Sequence, residues 1–407
     1  MLICVLIVLF VLILIYTYVE KKQQTHFSIG TYLLFLYISS ILLSFLEDNS
    51  NKVYTLEASF YFLTTLLLFI YPVLKFDQRK IEKFSLCNER LFRCLCNVFI
   101  IGGICAYIYF LPIVYKLFTS GNSILILRTD MVGGTVYFNV NIFYYLTTFV
   151  SQFYPIILIC YFFSITNLHY SRSYNYLLLF SSTAYIVNVL ASVGRDGFVL
   201  WSMSYVFSFI LFYKYLSVEQ IRMQKKLFKR LLFVFLLFFI PITVARFFMN
   251  GFKDGILSMF SYFGQQFGNF NNLYNKVDFS LLKVDVSTIL PFLKNEQLAS
   301  DIISEQRNFY NQFGIDKFVF ATFVGSFCVG IGPLLTLVWA SGHAVLNSIL
   351  ISNKKIVPFG KILYITLLAQ IPLHGIFYYK LGYSVSNIYV ICVILLSILF
   401  SYNIKIK

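Results

Sequence analysis

Four arginines and one histidine are the side chains whose type and setting point most directly to chemistry in this 407-residue chain. Arg195 stands in Gly194-Arg195-Asp196-Gly197, a short polar turn between two apolar runs. Two glycines let a backbone turn sharply and approach a ligand closely; a simple Arg195–Asp196 pair across the turn is the plainer alternative. Arg128 and Asp130 precede Gly133-Gly134 in another connection. Arg246 lies inside an apolar run, four residues from its end and about 6 Å deep at the helical rise. A charge within a span costs about 2.5–3.5 kcal/mol on insertion scales, which marks it for function unless its stem simply snorkels to the interface. Arg307 closes a helical stretch in a long connection. A guanidinium is planar, permanently charged and bidentate toward phosphate oxygens. Four of them on one side of a membrane suit an anionic lipid head group such as a pyrophosphate.

His374 falls in Gln370-Ile-Pro-Leu-His374-Gly375, about 9 Å below a helix end. Imidazole titrates near neutrality and is a natural general base; a helix-packing histidine is the alternative. Pro372 and Gly375 disturb the helix there and can free backbone groups to line a cavity. Asp196 is the second candidate for proton transfer. His343, deep in its run, reads as structural, and Glu57 as an additional acid or a cavity-lining group. No G-x-x-x-x-G-K-[ST], Asp-x-Asp, H-E-x-x-H or Cys/His zinc spacing occurs. The expectation is therefore a metal-independent reaction without a cofactor, or no reaction.

The elements that position these residues must be membrane helices. Apolar residues make up 59%, aromatic residues 20% and charged residues only 12% of the chain, against about 25% charged in a soluble protein. A soluble domain, a disordered chain and a disulfide scaffold are excluded. The eight cysteines mostly lie in or beside apolar runs and read as free thiols. Apolar runs near 2–19, 27–46, 53–74, 94–115, 138–163, 175–192, 198–216, 231–250, 329–351, 361–379 and 384–403 predict an all-α polytopic membrane protein. About eleven (10–12) transmembrane helices are expected, with a large, partly helical external loop. The first run lacks the basic start and cleavage site of a signal peptide and reads as a retained span.

Lysine and arginine set the orientation. Twenty of the 32 lie in alternate connections beginning with Lys21-Lys22, so that side is cytoplasmic. The +15 charge is then a topological signal plus attraction to anionic membrane lipid, with no nucleic acid implied. The chain divides into helices 1–8 over 1–250, an external loop over 251–317, and helices 9–11 over 318–407. In the loop, Ile256, Phe260, Phe263, Phe267, Phe270 and Tyr274 recur at helical spacing, with Gln265, Gly268, Asn271 and Asn272 opposite. That pattern predicts an amphipathic helix over 254–274 at the outer interface, with Gln265, Asn271 and Asn272 offered to sugars. A lid that only covers the bundle is the plainer reading. A second helix is expected over about 296–309.

In layout the sequence resembles the Wzy-type polymerases of O-antigen and capsule repeat units. The resemblance rests on Phe/Tyr/Leu-rich spans, short basic inner loops and one large external loop before the last three spans. It also rests on Ala191-Ser-Val-Gly-Arg195-Asp-Gly, Asn271-Asn272, and Gly325 with Gly330-Ile-Gly332. It implies a glycosyltransferase of the bacterial inner membrane that acts on oligosaccharides linked to undecaprenyl pyrophosphate. The growing chain would leave its lipid pyrophosphate for a hydroxyl of the incoming unit, with a chain-length regulator and a flippase as partners. Arg195, Arg246, Arg128 and Arg307 would hold the pyrophosphate. Three rivals stand beside it. An O-antigen ligase would place a histidine in the external loop, and 251–317 contains none. A lipid-linked oligosaccharide flippase would line a central cavity with charge. A glycosyltransferase using a phosphoprenol sugar would carry acids in its first external loop, where Glu47-Asp48 lies.

The orientation is open to direct measurement. A reporter active only in the cytoplasm should be active when fused after Arg230 and silent when fused within 276–300; the opposite pattern would overturn the assignment of sides.

Overall fold

Long apolar runs become helices because hydrocarbon offers backbone N–H and C=O groups no partner except each other. In the computed structural model the described residues are 2–23, 27–46, 52–119, 141–247, 252–290, 293, 299–315, 320–351, 355–382 and 384–401. Fifteen α-helices lie among them. They are α1 (Leu2–Gln23), α2 (Ile29–Leu43), α3 (Leu56–Lys75), α4 (Glu89–Thr119), α5 (Ile142–Gln152), α6 (Tyr154–Phe163), α7 (Arg172–Ala191) and α8 (Asp196–Phe212). There follow α9 (Val218–Phe247), α10 (Phe252–Lys276), α11 (Ala299–Phe313), α12 (Thr322–Ile331), α13 (Pro333–Leu350), α14 (Phe359–His374) and α15 (Ser384–Leu399). Two three-residue strands, Lys83–Ser85 and Ile356–Pro358, a π-helical turn over Ser164–Leu168 and short 3-10 turns complete the regular structure of these residues. The protein is all-α. Arg128 and Asp130 lie outside the described residues, as does the side chain of Arg246, whose backbone belongs to α9.

Six helices among the described residues are long and apolar enough to cross a membrane: α1, α2 with its extension to Leu46, α3, α4, α8 with its extension to Tyr215, and α13. The count is seven if α5 and α6, bent by 49° at Phe153, form one broken span. The other expected spans do not pass that test of length and apolar character among the described residues. The run at 329–351 is cut at Gly332, which adopts φ +79° and leaves α12 as a ten-residue helix ahead of Pro333, a favoured first helical residue. α14 and α15 have 16 residues each, about 24 Å at the helical rise against a hydrocarbon thickness of about 30 Å. In α7, buried Asn175, Ser181, Ser182, Thr183 and Asn188 dilute the apolar character.

By contacts the chain forms two compact units that cut across the division along the sequence. The first comprises Met1–Lys83, Ile256–Val357 and Tyr364–Leu395; the second comprises Phe84–Gly255, Pro358–Leu363 and Leu396–Lys407. In the second, small residues bring helices close, as they do in membrane bundles generally. A Cβ on Gly103 of α4 would stand 2.4 Å from the Ser181 Cβ of α7, and one on Gly102 would stand 2.5 Å from Val150 of α5. Beside this contact, Ala106, Phe110 and Val114 pack with Ala184, Val187 and Ala191. Tyr107 stacks on Phe180 with ring centroids 4.2 Å apart, and its hydroxyl pairs with Thr183 at 2.6 Å. In the first unit, α13 lies along α3. Phe69 packs against His343 at 4.8 Å, and the Tyr61 hydroxyl donates to the Pro333 carbonyl at 2.6 Å.

The two kinds of glycine should separate in thermal unfolding of the purified protein. Gly103→Ala forces α4 from α7 and should destabilise by about 1–3 kcal/mol, as overpacking does. Gly342→Ala meets nothing within 4 Å inside α13 and should be neutral or stabilising by up to about 1 kcal/mol.

Candidate functional site

The arginine turn of the second unit is built by Val189. After α7 the chain folds back, with the N–H groups of Ser192 and Gly194 donating to the Val189 carbonyl at 3.0 and 2.9 Å. The left-handed position falls on Val193, at φ +51°, rather than on a glycine. What Gly194 and Gly197 contribute is space. A Cβ on either would approach the Val189 side chain to 2.6 Å. The sequence expectation of a special turn holds, but the reason differs: close packing of one valine against two glycines. Arg195 leads directly into α8 and is 9% exposed. Its Nη1 donates toward the Thr243 hydroxyl of α9 at 3.5 Å. Asp196 is half-buried in the first turn of α8, where a carboxylate is favoured by the helix N-terminus. Nearby on α7, Asn188 donates to Ser151 at 2.7 Å.

The loop helix expected over 254–274 is present as α10, but it does not lie on a surface with its amide face free. Along Gly264–Asn271 both faces are largely enclosed in the first unit. Gly264 presses on the backbone of Leu43, where a Cβ would come within 2.4 Å, and Gly268 presses on the Tyr54 hydroxyl. Phe267 and Phe270 pack on Phe62 at 5.3 and 5.2 Å. The amides are consumed by helix packing. Ser40 donates to Gln266 at 3.0 Å and Ser59 to Asn271 at 3.2 Å, while Asn271 donates to the Phe267 carbonyl at 3.1 Å. Asn271 is fully buried, which corrects its expected place on an open sugar-binding face. Gln265 and Asn272 remain half-buried. Gln265 donates to the Tyr262 carbonyl at 3.3 Å, and Asn272 accepts from the Val53 N–H at 3.5 Å. The second loop helix is present as α11 and carries Arg307 on an exposed position.

His374 ends α14 and is 3% exposed. The backbone groups released around Pro372 and Gly375 are used by protein. The Pro372 carbonyl accepts from the Tyr37 hydroxyl at 2.8 Å. The carbonyls of Gly375 and Phe377 accept from the N–H groups of Phe323 and Thr322 at 2.7 and 3.0 Å. They thereby serve the N-terminus of α12, where N–H groups otherwise have no partner. The expected cavity-lining role of these groups is replaced by helix capping. Gln370, one turn earlier, accepts from the Tyr389 hydroxyl at 2.8 Å. His343 is buried against Phe69 as a packing residue, and exposed Glu57 accepts from Tyr274 at 3.4 Å.

The candidate residues thus belong to two units. Arg195, Asp196 and Arg246 fall in the second; His374, Gln265, Asn271, Asn272 and Arg307 fall in the first. Two groups escaped the sequence reading. Thr243 was hidden within an apolar run, and only the arginine it meets gives it meaning. Lys380 has the sequence setting of an ordinary loop cation, yet it is 9% exposed, and burial pushes its ammonium well below the usual lysine range. Its setting between Tyr379 and Leu381-Gly382 was the available signal. Among the described residues no three His, Cys, Asp or Glu side chains gather to hold a metal ion. No family model, curated protein or solved structure matches the chain.

The valine–glycine contact predicts a compensating pair. Gly197→Ala should lower stability by about 1–3 kcal/mol, and Val189→Ala in the same chain should recover much of that loss. Thermal unfolding of the two single variants and the double variant measures the coupling; simple additivity would show that Val189 does not set the turn.

Proposed function

We propose that this protein is an oligosaccharide repeat-unit polymerase. It joins units carried on undecaprenyl pyrophosphate into O-antigen or capsular polysaccharide at the outer face of a bacterial inner membrane, which the chain crosses about eleven times. The observation that carries the reading is the fixed position of Arg195. A permanent cation is held inside the second unit by a turn that Val189 shapes, with Thr243 against the guanidinium. A buried, permanently charged guanidinium is well suited to recognise phosphate oxygens, and a pyrophosphate offers bidentate oxygens to it.

In this reading the acceptor hydroxyl oxygen attacks the anomeric carbon of the growing chain. The bond from that carbon to the pyrophosphate oxygen breaks, and its electron pair leaves on undecaprenyl pyrophosphate. Arg195 stabilises the charge that develops there, an effect of the oxyanion-hole kind, assisted by Arg246 and Arg128. The hydroxyl proton passes to a base. Asp196 is adjacent to Arg195 in the chain and half-buried, so it takes the proton. His374, enclosed at the end of α14, is the other candidate for that proton. Gln265 and Asn272 contact sugar, and Asn271 supports them from within. A pyrophosphate leaves without acid assistance, so no second carboxylate is required.

Polymer length in cells supplied with the lipid-linked repeat tests this. Arg195→Lys keeps charge but loses the bidentate fork; most polymer should be lost and single lipid-linked repeats should accumulate, with the protein still in the membrane. Asp196→Asn should do the same, and His374→Gln should retain polymer. Full-length polymer with Arg195→Ala would sink the proposal, and loss with His374→Gln but not Asp196→Asn would move the base to His374.

A further inference from the structure

One face of α9 combines a cationic stripe with an apolar one. Arg222, Lys225, Lys226, Lys229 and Arg230 are all exposed, and at 100° per residue they share an arc of about 140°. They line one groove together with Phe233. The same face continues upward as Phe233, Leu237, Ile240 and Val244, which are 65%, 58%, 52% and 46% exposed. The opposite face is anchored. Gln224 is fully buried and accepts from the hydroxyls of Tyr161 at 2.9 Å and Tyr205 at 2.7 Å. Phe228 stacks on Tyr205 at 4.9 Å, and Phe235 packs on Phe198 at 5.4 Å and on Trp201 at 5.9 Å.

From this juxtaposition we infer that the exposed face of α9 is a docking surface for anionic phospholipid. The phosphate head groups sit on Arg222, Lys225, Lys226, Lys229 and Arg230, and the acyl chains run along Phe233, Leu237, Ile240 and Val244. Charge complementarity selects the occupant. Phosphate diesters meet cations that would otherwise face one another along two turns, and each cation near an anionic lipid surface strengthens its attraction. The continuity of the apolar stripe selects a lipid over a soluble anion, because only a lipid presents a charge and a hydrocarbon tail in that order along the helix. An acidic soluble protein would use the cations alone and make no contact with Phe233 and Leu237. The inference is independent of the polymerase reading and uses none of its residues.

Native mass spectrometry of the full chain, released from detergent containing equimolar phosphatidylglycerol and phosphatidylcholine, tests it. The wild-type protein should retain phosphatidylglycerol in preference to phosphatidylcholine. The variant Lys225→Gln/Lys226→Gln/Lys229→Gln should lose that preference by roughly tenfold or more, since each cation contributes several-fold. Raising salt should weaken the wild-type preference as surface charges are screened. A control, Lys80→Gln/Lys83→Gln/Arg90→Gln, removes the same number of exposed cations elsewhere and should keep it. Leu237→Gln leaves every cation in place and should still reduce retention, because the tail loses its track. Circular dichroism and gel filtration confirm that each variant is folded. Absence of a wild-type preference, equal loss in the control, or unchanged retention with Leu237→Gln would each overturn the inference.

Discussion

Polar groups carried into an apolar interior need partners supplied by the protein, and that obligation shapes both units. It makes the chain helical, since only a helix satisfies its own backbone within one segment. It also decides where helices may stop. α12 can begin inside the first unit because the carbonyls of Gly375 and Phe377 meet its leading N–H groups. α14 can carry Pro372 near its end because Tyr37 takes up the Pro372 carbonyl. In the second unit the same rule fixes side chains: Trp201 donates to Ser182 at 3.0 Å, and two tyrosines converge on Gln224. A buried hydrogen bond contributes only about 0.5–1.5 kcal/mol net, but leaving one partner unmet costs more. These contacts therefore specify arrangement more than they add stability.

Hydropathy made the class legible from the sequence, and helical periodicity placed α10 and α11 almost where they lie. What periodicity could not reveal is how many sides of a helix are covered. Gln265, Gly268, Asn271 and Asn272 read as one polar face. Glycines at 264 and 268 admit neighbouring backbone and side chain so closely that Asn271 becomes an interior group, while Gln265 and Asn272 stay half-buried. The form of the individual spans is hidden in a related way. An apolar run reports hydrophobicity but not breaks, so Gly332 and the bend at Phe153 pass unseen inside it. At the arginine turn the motif was visible while its cause was not, because Val189 lies outside the motif that it shapes.

The division of the candidate residues between two units bears on the chemistry. Arg195 and Asp196 are neighbours in sequence and share one turn of the second unit. His374 is set among backbone carbonyls already engaged with α12, and its surroundings serve helix packing. In the proposed reaction the arginine would give a fixed positive charge for the leaving group and the carboxylate an acceptor for one proton.

The clamp on Gln224 has a bearing on how this gene can change over time. Substitution along the outer face of α9 disturbs nothing behind it, because Tyr161 and Tyr205 hold the helix by its other side. Insertions and deletions are another matter. One residue added between Gln224 and Phe228 would roll everything beyond it by about 100°, taking Phe228 and Phe235 off their aromatic partners and carrying solvent-facing side chains toward the gap. Point changes that spare Gln224, Phe228 and Phe235 should therefore leave the packing of this segment intact in descendants of the chain, while its length stays constant.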